Sequence, residues 1–211
     1  MRTVVITLWQ PGDPWRERVW AYARARWEAA GLEVVEGSDE RGLWAGRNTG
    51  ARAAGAWDAA LFADADIALT TPEQAWAALE RAASASAYVA PYSELRVLTR
   101  DATEDVLDGE VSLGFATVAK LWVDVWVGAF AIGRPFWDEL GGYDERFAPF
   151  PGQDTAIIHA ASTLGALERV NGAAFHLWHP LREPQPTRPA LWQRYEEATG
   201  NAEAMRELLR R

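Results

Sequence analysis

The stretch that most restricts the fold is residues 47–66, RNTGARAAGAWDAALFADAD, which ends in two carboxylates. The apolar run 59–63 is predicted to be a short strand buried on both faces, although a buried helix segment has the same pattern. If this strand continues through Asp66, its period of two turns Asp64 and Asp66 to the same side at the carboxyl end. Open α/β sheets bind ligands at that edge, and two carboxylates there suit Mg²⁺ or Mn²⁺. A solvated acidic strand end is the alternative.

Strands and helices alternate along the chain. The predicted elements are strands at residues 4–8, 32–35, 59–63 and 87–90, and helices at residues 14–30, 51–56, 72–83 and 155–164. This order predicts an α/β fold with a doubly wound, mainly parallel central sheet flanked by helices. Arg47 is expected to open a helix, where its guanidinium and the positive helix end would face the same anion. A surface ion pair is the alternative for Arg47.

The composition predicts a single compact domain with a sizeable core, since 49% of the 211 residues are hydrophobic. There is no run of 18 apolar residues, no export signal and no cysteine, so we expect no transmembrane segment and a cytoplasmic location. The net charge of −9 argues against broad binding to nucleic acid. Because 20 of the 21 basic residues are arginine, a local phosphate-binding groove stays compatible with that charge.

Two ordered blocks carry a stronger signal than the aspartates alone. The first reads RNxGxxxAGxxD from Arg47 and continues as LFxDAD from Leu61. The second reads GAFAIGR from Gly128, LGGYDERF from Leu140 and GQD from Gly152. Together with the first strand, these blocks resemble the family 2 glycosyltransferases of GT-A fold over most of residues 3–180. The resemblance implies one Rossmann-like GT-A domain: residues 1–100 bind the nucleotide sugar, residues 101–180 form the acceptor and catalytic half, and residues 181–211 add a proline-rich segment and C-terminal helices.

The same resemblance implies a hexosyltransferase-like enzyme. It would move a sugar from a nucleoside diphosphate donor, with UDP favoured, to an acceptor hydroxyl, using Mn²⁺ or Mg²⁺. The implied donor-binding residues are Thr7, Trp9, Asp39, Arg47, Asp64 and Asp66. Thr7 and Trp9 would lie under the nucleobase, and Asp39 or Glu36 would contact the base or ribose. Asp64 would touch the ribose or the donor sugar, and Asp66 would be the direct metal ligand.

Two of the three histidines stand close together in the segment His176-Leu177-Trp178-His179-Pro180. Many metal-dependent GT-A enzymes use a C-terminal histidine as a metal ligand, so the resemblance makes both residues candidates. His176 directly follows the apolar run 173–175 and is the first choice. His179 points the other way in a regular strand, unless Pro180 bends the chain inward. A structural histidine is the alternative for each, and the absence of cysteine disfavours zinc.

The resemblance places the general base at Asp154, which implies inversion at the anomeric carbon. The family has a Glu-Asp pair here, whereas this chain has Gln153 before Asp154, which removes one negative charge from the acceptor side. Trp126 and Gly128 are the other acceptor-side candidates. Locally, Asp154 could instead be the N-cap of the predicted helix 155–164.

Several interpretations stay open from sequence alone. Gln153 keeps a catalytically silent nucleotide-sugar-binding module in view, and a phage-type glycosyltransferase acting on modified DNA bases is a further alternative. A sugar nucleotidyltransferase is disfavoured, because residues 8–12 lack the glycine-rich basic loop of that class. The acceptor class and the oligomeric state are not assigned by the sequence.

Overall fold

The structure is a computed structural model that describes residues 1–41, 43–147, 152–180 and 189–210, without the side chains of Leu43 and Trp44. The predicted proline-rich segment therefore lies outside the described residues, except at its ends. In chain order the elements are β1 (Thr3–Leu8), α1 (Pro14–Ala29), β2 (Glu33–Gly37), α2 (Leu43–Ala53), β3 (Ala59–Ala63), β4 (Ile67–Leu69), α3 (Pro72–Ser84), β5 (Ala87–Ala90), β6 (Glu94–Leu98), α4 (Arg100–Leu107), β7 (Val118–Val123), β8 (Ala129–Gly133), α5 (Arg134–Leu140), α6 (Gln153–Leu164), β9 (Ala166–Arg169), β10 (Ala173–His176), α7 (Pro189–Ala198) and α8 (Ala202–Leu209).

The main sheet has six strands in the order β2-β1-β3-β8-β5-β9. All pairs are parallel except those of β8, which is antiparallel to both β3 and β5. The predicted doubly wound, mainly parallel sheet is therefore confirmed, with one reversed strand at its centre. All five residues of β3 and of β8 are buried, as expected for central strands covered on both faces.

Helices cover both faces of this sheet. Because side chains alternate along each strand, every strand contributes residues to a core on each face. In β1, Val4 and Ile6 belong to one core together with residues of α2, α5 and α6. Val5 belongs to the other core, together with residues of α1 and α3. The second core also contains residues that follow β3, so it extends toward the smaller sheet.

A second sheet has four strands in the order β4-β10-β6-β7, which alternate along the chain with strands of the main sheet. Its strand β10 is antiparallel to β4 and pairs His176 with Ile67. Since Ile67 directly follows Asp66, this register brings the end of β10 to the second aspartate. The fold therefore joins a C-terminal histidine to the aspartate pair through strand pairing.

The structure departs from the sequence-based picture at three places: the conditional extension of the strand, the N-cap alternative for Asp154 and the start of the helix before Asp64. The strand does not continue through Asp66: it ends at Ala63, because the Asp64 N–H donates to the Gly128 carbonyl (2.7 Å) and the Ile67 N–H to the Asp64 carbonyl (3.2 Å), which closes a turn. Asp154 is not an N-cap, because α6 begins at Gln153 after Gly152, whose φ is +123°.

The helix before the aspartates also differs from its prediction. It begins at Leu43, so Arg47 lies inside α2 and does not open it. Glycines allow this longer helix to lie against β1 and β2: a Cβ on Gly37 would stand 2.0 Å from the Gly46 carbonyl oxygen, and a Cβ on Gly46 would stand 2.4 Å from Leu8. No described helix is both long and apolar enough to cross a bilayer.

Candidate functional site

Three side chains with metal-ligand chemistry meet where the two sheets adjoin. The His179 Nε2 atom lies 2.8 Å from Asp66 Oδ2, and His176 Nε2 lies 3.8 Å from Asp66 Oδ1. One ligand atom from each residue falls within 4.8 Å of the others. The structure thus brings both predicted histidines to the aspartate that was predicted to bind metal. His179 and Pro180 lie after the end of β10.

Two atoms of this cluster have unused hydrogen-bonding capacity. Asp66 Oδ1 and His176 Nδ1 are buried without a hydrogen-bond partner in the part of the chain that the structure describes. A buried polar atom without a partner is costly unless a ligand or ion satisfies it. One carboxylate and two imidazoles form a donor set that accepts Mn²⁺, so the residues present fit a divalent ion.

The charges of the cluster are coupled. Burial alone would raise the pKa of Asp66, but the hydrogen bond from His179 and the charges of His176, His179 and Arg16 outweigh it and lower that pKa. Burial lowers the pKa of His179, but the hydrogen bond and charge of Asp66 outweigh burial and raise it. The Asp66 carboxylate is therefore kept in the ionised form that a cation binds.

A second layer holds His179 in place from α1. Arg16 Nη2 lies 2.8 Å from His179 Nδ1 and donates to the Pro180 carbonyl at 2.7 Å. The neighbouring Trp15 donates its Nε1–H to the Trp178 carbonyl (2.8 Å). The position of this first turn is fixed in part by the side chain of Asp13, which caps α1. Sequence patterns do not reveal the role of Arg16, because its partners lie more than 160 residues away.

A buried arginine, Arg47, lies between two carboxylates beside the cluster of Asp66, His176 and His179. Arg47 donates to Asp64, to Asp154 Oδ1 (2.8 Å) and to the Tyr143 hydroxyl (2.9 Å). Its guanidinium also lies 5.0 Å from the centre of the Tyr143 ring. Arg47 is only 5% exposed, so its surface ion-pair alternative does not hold. Tyr143 stands in the LGGYDERF block, but the sequence did not assign it a role.

Asp64 occupies the position between the two clusters. Enclosure by the protein raises the pKa of Asp64 above its ordinary range, and the charge of Arg47 opposes that increase, while Asp66 and Asp154 add to it. Its side chain still keeps 35% exposure, so one side of the carboxylate faces the cleft. Asp64, Asp66 and Asp154 bring three carboxylates together at this edge, which favours cation binding.

The remaining donor-side candidates are spread along the ends of β1 and β2. Thr7 is fully buried, and its hydroxyl has no partner among the described residues. Trp9 is partly buried against Trp20, with ring centres 5.9 Å apart. Asp39 is bound by Arg41, whose hydrogen bonds lower the pKa of that carboxyl well below its usual range. Glu36 points instead to α1, where it accepts from Trp20 Nε1 at 2.9 Å.

The acceptor-side candidates differ in accessibility. Gly128 has a φ of +94° and accepts the Asp64 N–H, so it shapes the aspartate turn directly. Trp126 is partly buried and packs against Tyr88, with ring centres 6.3 Å apart. Gln153 is fully buried, so its side chain belongs to the packing beneath α6.

A cavity of about 500 Å³ lies between α2, α5 and the LGGYDERF segment. Its arginines are already matched by carboxylates, as in the pairs Arg134–Asp138 and Arg146–Asp144. The described residues of this cavity therefore offer no unmatched charge, and we place the candidate site at the aspartate turn.

Solved structures with similar folds are glycosyltransferases. GalNAc-T7 with UDP, GalNAc and Mn²⁺ matches 93% of this chain and 48% of that chain, with a TM-score of 0.56 and 14% identity. The catalytic domain of Drosophila β1,4-galactosyltransferase 7 in complex with xylobiose matches 94% and 79%, with a TM-score of 0.51 and 11% identity. No protein-family model and no curated protein matches the chain. The chain thus has the GT-A fold that its sequence predicted, and it spans about half the length of the GalNAc-T7 chain.

Proposed function

We propose that this chain is a divalent-metal-dependent glycosyltransferase that transfers a sugar from a UDP-linked donor to an acceptor hydroxyl. One observation carries the proposal: the Asp66, His176 and His179 cluster lies beside the Arg47-linked pair of Asp64 and Asp154, at the ligand-binding edge of a GT-A fold. The UDP and Mn²⁺ in the GalNAc-T7 structure support the choice of donor and ion.

In this proposal the metal ligands are Asp66, His176 and His179. A bound divalent ion would supply positive charge for the diphosphate leaving group. Asp64 would contact the ribose or the donor sugar. Arg47 would hold Asp64 in place and so orient the donor. Residues 1–100 then form the nucleotide-sugar half, and residues 101–180 form the acceptor half of one domain.

Asp154 is the proposed general base. Its Oδ1 atom accepts from Arg47 (2.8 Å) and from the Tyr143 hydroxyl (3.3 Å). Oδ2 has no hydrogen-bond partner among the described residues, and the side chain keeps 29% exposure. Oδ2 would take the acceptor proton while the acceptor oxygen bonds to the anomeric carbon and the bond from that carbon to the diphosphate breaks. Attack from the face opposite the leaving group inverts the configuration.

The experiment is a donor screen followed by turnover. Melting temperatures are measured with a panel of nucleotide sugars in the presence of Mn²⁺, and release of free nucleotide is then followed without acceptor, with Mn²⁺ or with EDTA. We expect a UDP-sugar to raise the melting temperature and to be hydrolysed slowly only with metal. Stabilisation without hydrolysis would indicate a silent binding module, and no stabilisation by any nucleotide sugar would refute the proposal.

A further inference from the structure

Another arginine, Arg169, lies at the same edge of the main sheet as the candidate site, and its Nε has no described hydrogen-bond partner. Arg169 is the last residue of β9, and it pairs with Ala90 in the parallel neighbour β5. Two residues earlier, Leu167 pairs with Tyr88. Because strand side chains alternate, Arg169 points to the same face of the sheet as Tyr88. That face carries the core to which α6, the helix of Asp154, also belongs.

The guanidinium of Arg169 is held by stacking more than by hydrogen bonds. It lies 3.4 Å from the centre of the Trp126 ring. Its contacts to Asp124 Oδ1 (3.2 Å) and to the Val125 carbonyl (3.4 Å) are long, and its Nε is buried without a partner among the described residues. A guanidinium offers five N–H donors in a planar fork that matches carboxylate and phosphate. Two of these N–H groups make the long contacts and the Nε–H is enclosed, so an external anion would meet the terminal N–H groups of this side chain, which is 20% exposed.

The present partner of Arg169 is easily displaced. The Asp124 side chain is 83% exposed, and exposed ion pairs contribute little to stability. Asp124 is also the one non-glycine residue with positive φ (58°) in the described part of the chain. Such strained backbone concentrates at binding and catalytic sites. An anionic ligand could replace this carboxylate without breaking a buried contact.

Aromatic rings connect Arg169 to the proposed base. Trp126 packs on Tyr88, and Tyr88 stacks on Phe130 with ring centres 4.1 Å apart. Phe130 in turn contacts the ring of Tyr143 (6.3 Å), whose hydroxyl reaches Asp154. The charges of Arg169 and Asp64 both act on the pKa of Tyr92, which burial raises, so Tyr92 lies within electrostatic reach of both groups. Arg169 and Trp126 thus lie at the same edge of the sheet as Asp154 and are connected to it by packed rings.

We propose that Arg169 and Trp126 form an acceptor subsite for an anionic group, so that the acceptor is a hydroxyl compound carrying a carboxylate or a phosphate. This inference rests on the proposed function. Arg134 provides a matched contrast: it also lies over a tryptophan, Trp57 at 5.0 Å, but its Nε is bound by both oxygens of Asp138. Stacking alone therefore does not distinguish Arg169; its weakly used N–H donors do.

The test uses small anions as probes with the donor position filled. Binding of glycerol 3-phosphate is measured by ³¹P line broadening, and binding of glycerate by ¹H saturation transfer, both in the presence of Mg²⁺ and excess UDP. Glycerol is the neutral control. We expect saturable binding of the anions only, weakened about 10–100-fold by Arg169→Met, which loses charge-assisted hydrogen bonds. Arg134→Met should leave anion binding unchanged.

Two further variants separate recognition from a structural role. Asp124→Asn keeps a residue that tolerates positive φ and removes the competing charge, so it should preserve or tighten anion binding. Arg169→Lys should bind the anions more weakly than the parent but more tightly than Arg169→Met, and it keeps the test intact if the methionine variant fails to fold.

Equal binding by the parent and Arg169→Met, no anion binding by the parent, or loss of binding in Asp124→Asn would each overturn the subsite. None of these results would contradict metal-dependent UDP binding. Failure of UDP to bind with Mg²⁺ would instead contradict the proposed function.

Discussion

His179 Nε2 lies 2.8 Å from Asp66 Oδ2, across the join between the second sheet and the turn after β3. The contact brings together residues more than 110 positions apart, and the pairing of β10 with β4 is what places them. His176 reaches the other oxygen of the same carboxylate at the longer distance of 3.8 Å. Asp66 is thus flanked by two imidazoles at unequal distances.

The two histidines should differ in their effect on metal affinity. We expect His176→Ala to weaken Mn²⁺ binding more than His179→Ala. His179 must give up its bond to Asp66 before it binds an ion, whereas His176 Nδ1 has no described hydrogen-bond partner and its Nε2 makes no such short contact. Electron paramagnetic resonance of free Mn²⁺ gives the dissociation constant of Mn²⁺ for each variant, and His159→Ala is the control. The reverse order would assign the stronger ligand to His179.

Arg16 should act on the metal site without touching the ion. Because it holds the His179 ring and the Pro180 carbonyl, Arg16→Gln should lower Mn²⁺ affinity by about 10–100-fold, the usual effect of losing an outer-shell partner. Arg18→Gln is the matched control, since Arg18 lies on the same helix but pairs with Asp108 at the surface. Equal Mn²⁺ affinities for the two variants would show that Arg16 has no positioning role.

The slope of melting temperature against pH should have opposite signs in EDTA and with bound Mn²⁺. The folded-state pKa of His179 is raised, so its protonated form stabilises the metal-free protein below about pH 6.5, and this contribution disappears as the pH rises through the raised value. We expect the melting temperature in EDTA to fall over that range, and His179→Gln to remove this component. With Mn²⁺ the stabilisation should instead grow with pH, because protons compete with the ion. A pH-independent difference between the parent and His179→Gln would contradict the assignment.

Asp154→Asn should separate catalysis from binding. Loss of a general base should lower turnover by about 10²–10⁴-fold, with UDP affinity nearly unchanged. The variant should also lose about 1.5–3 kcal/mol of unfolding free energy, because a charge-assisted bond to buried Arg47 is removed. Glu139→Gln, which alters a surface ion pair with Arg206, serves as a control for stability. Full turnover in Asp154→Asn would remove the base from the mechanism and, with it, the reason to call the enzyme inverting.

The parts of the fold that were predictable from sequence are those set by local pattern. The buried run 59–63, the helices near 14–30 and 72–83, and the mainly parallel sheet all follow from apolar periodicity and end signals. The start of α2 was missed because the helix lies against β1 and β2 through close contacts of Gly37 and Gly46, which periodicity does not reveal. The turn at Asp64 depends on the Gly128 carbonyl, a partner 64 residues away that periodicity does not reveal.

The candidate site divides in the same way. Asp66, His176 and His179 could be named from spacing and resemblance, and the structure brings them together. Arg16 and Arg169 could not be named, because each acquires its meaning from tertiary contacts: one with the segment after β10, the other with Trp126. The ion pair between Arg47 and Asp154 likewise joins residues 107 positions apart.

The most direct measurement of the central claim is calorimetric titration of UDP into the parent protein and Asp66→Ala, each with Mn²⁺ and with EDTA. Asp138→Ala is the control, since that carboxylate pairs with Arg134 at the surface. We expect Mn²⁺ to tighten UDP binding to the parent and to Asp138→Ala, and to have no effect on Asp66→Ala, whose fold should persist by circular dichroism. Equal UDP affinity with and without Mn²⁺ in the parent protein would contradict the metal-dependent donor site.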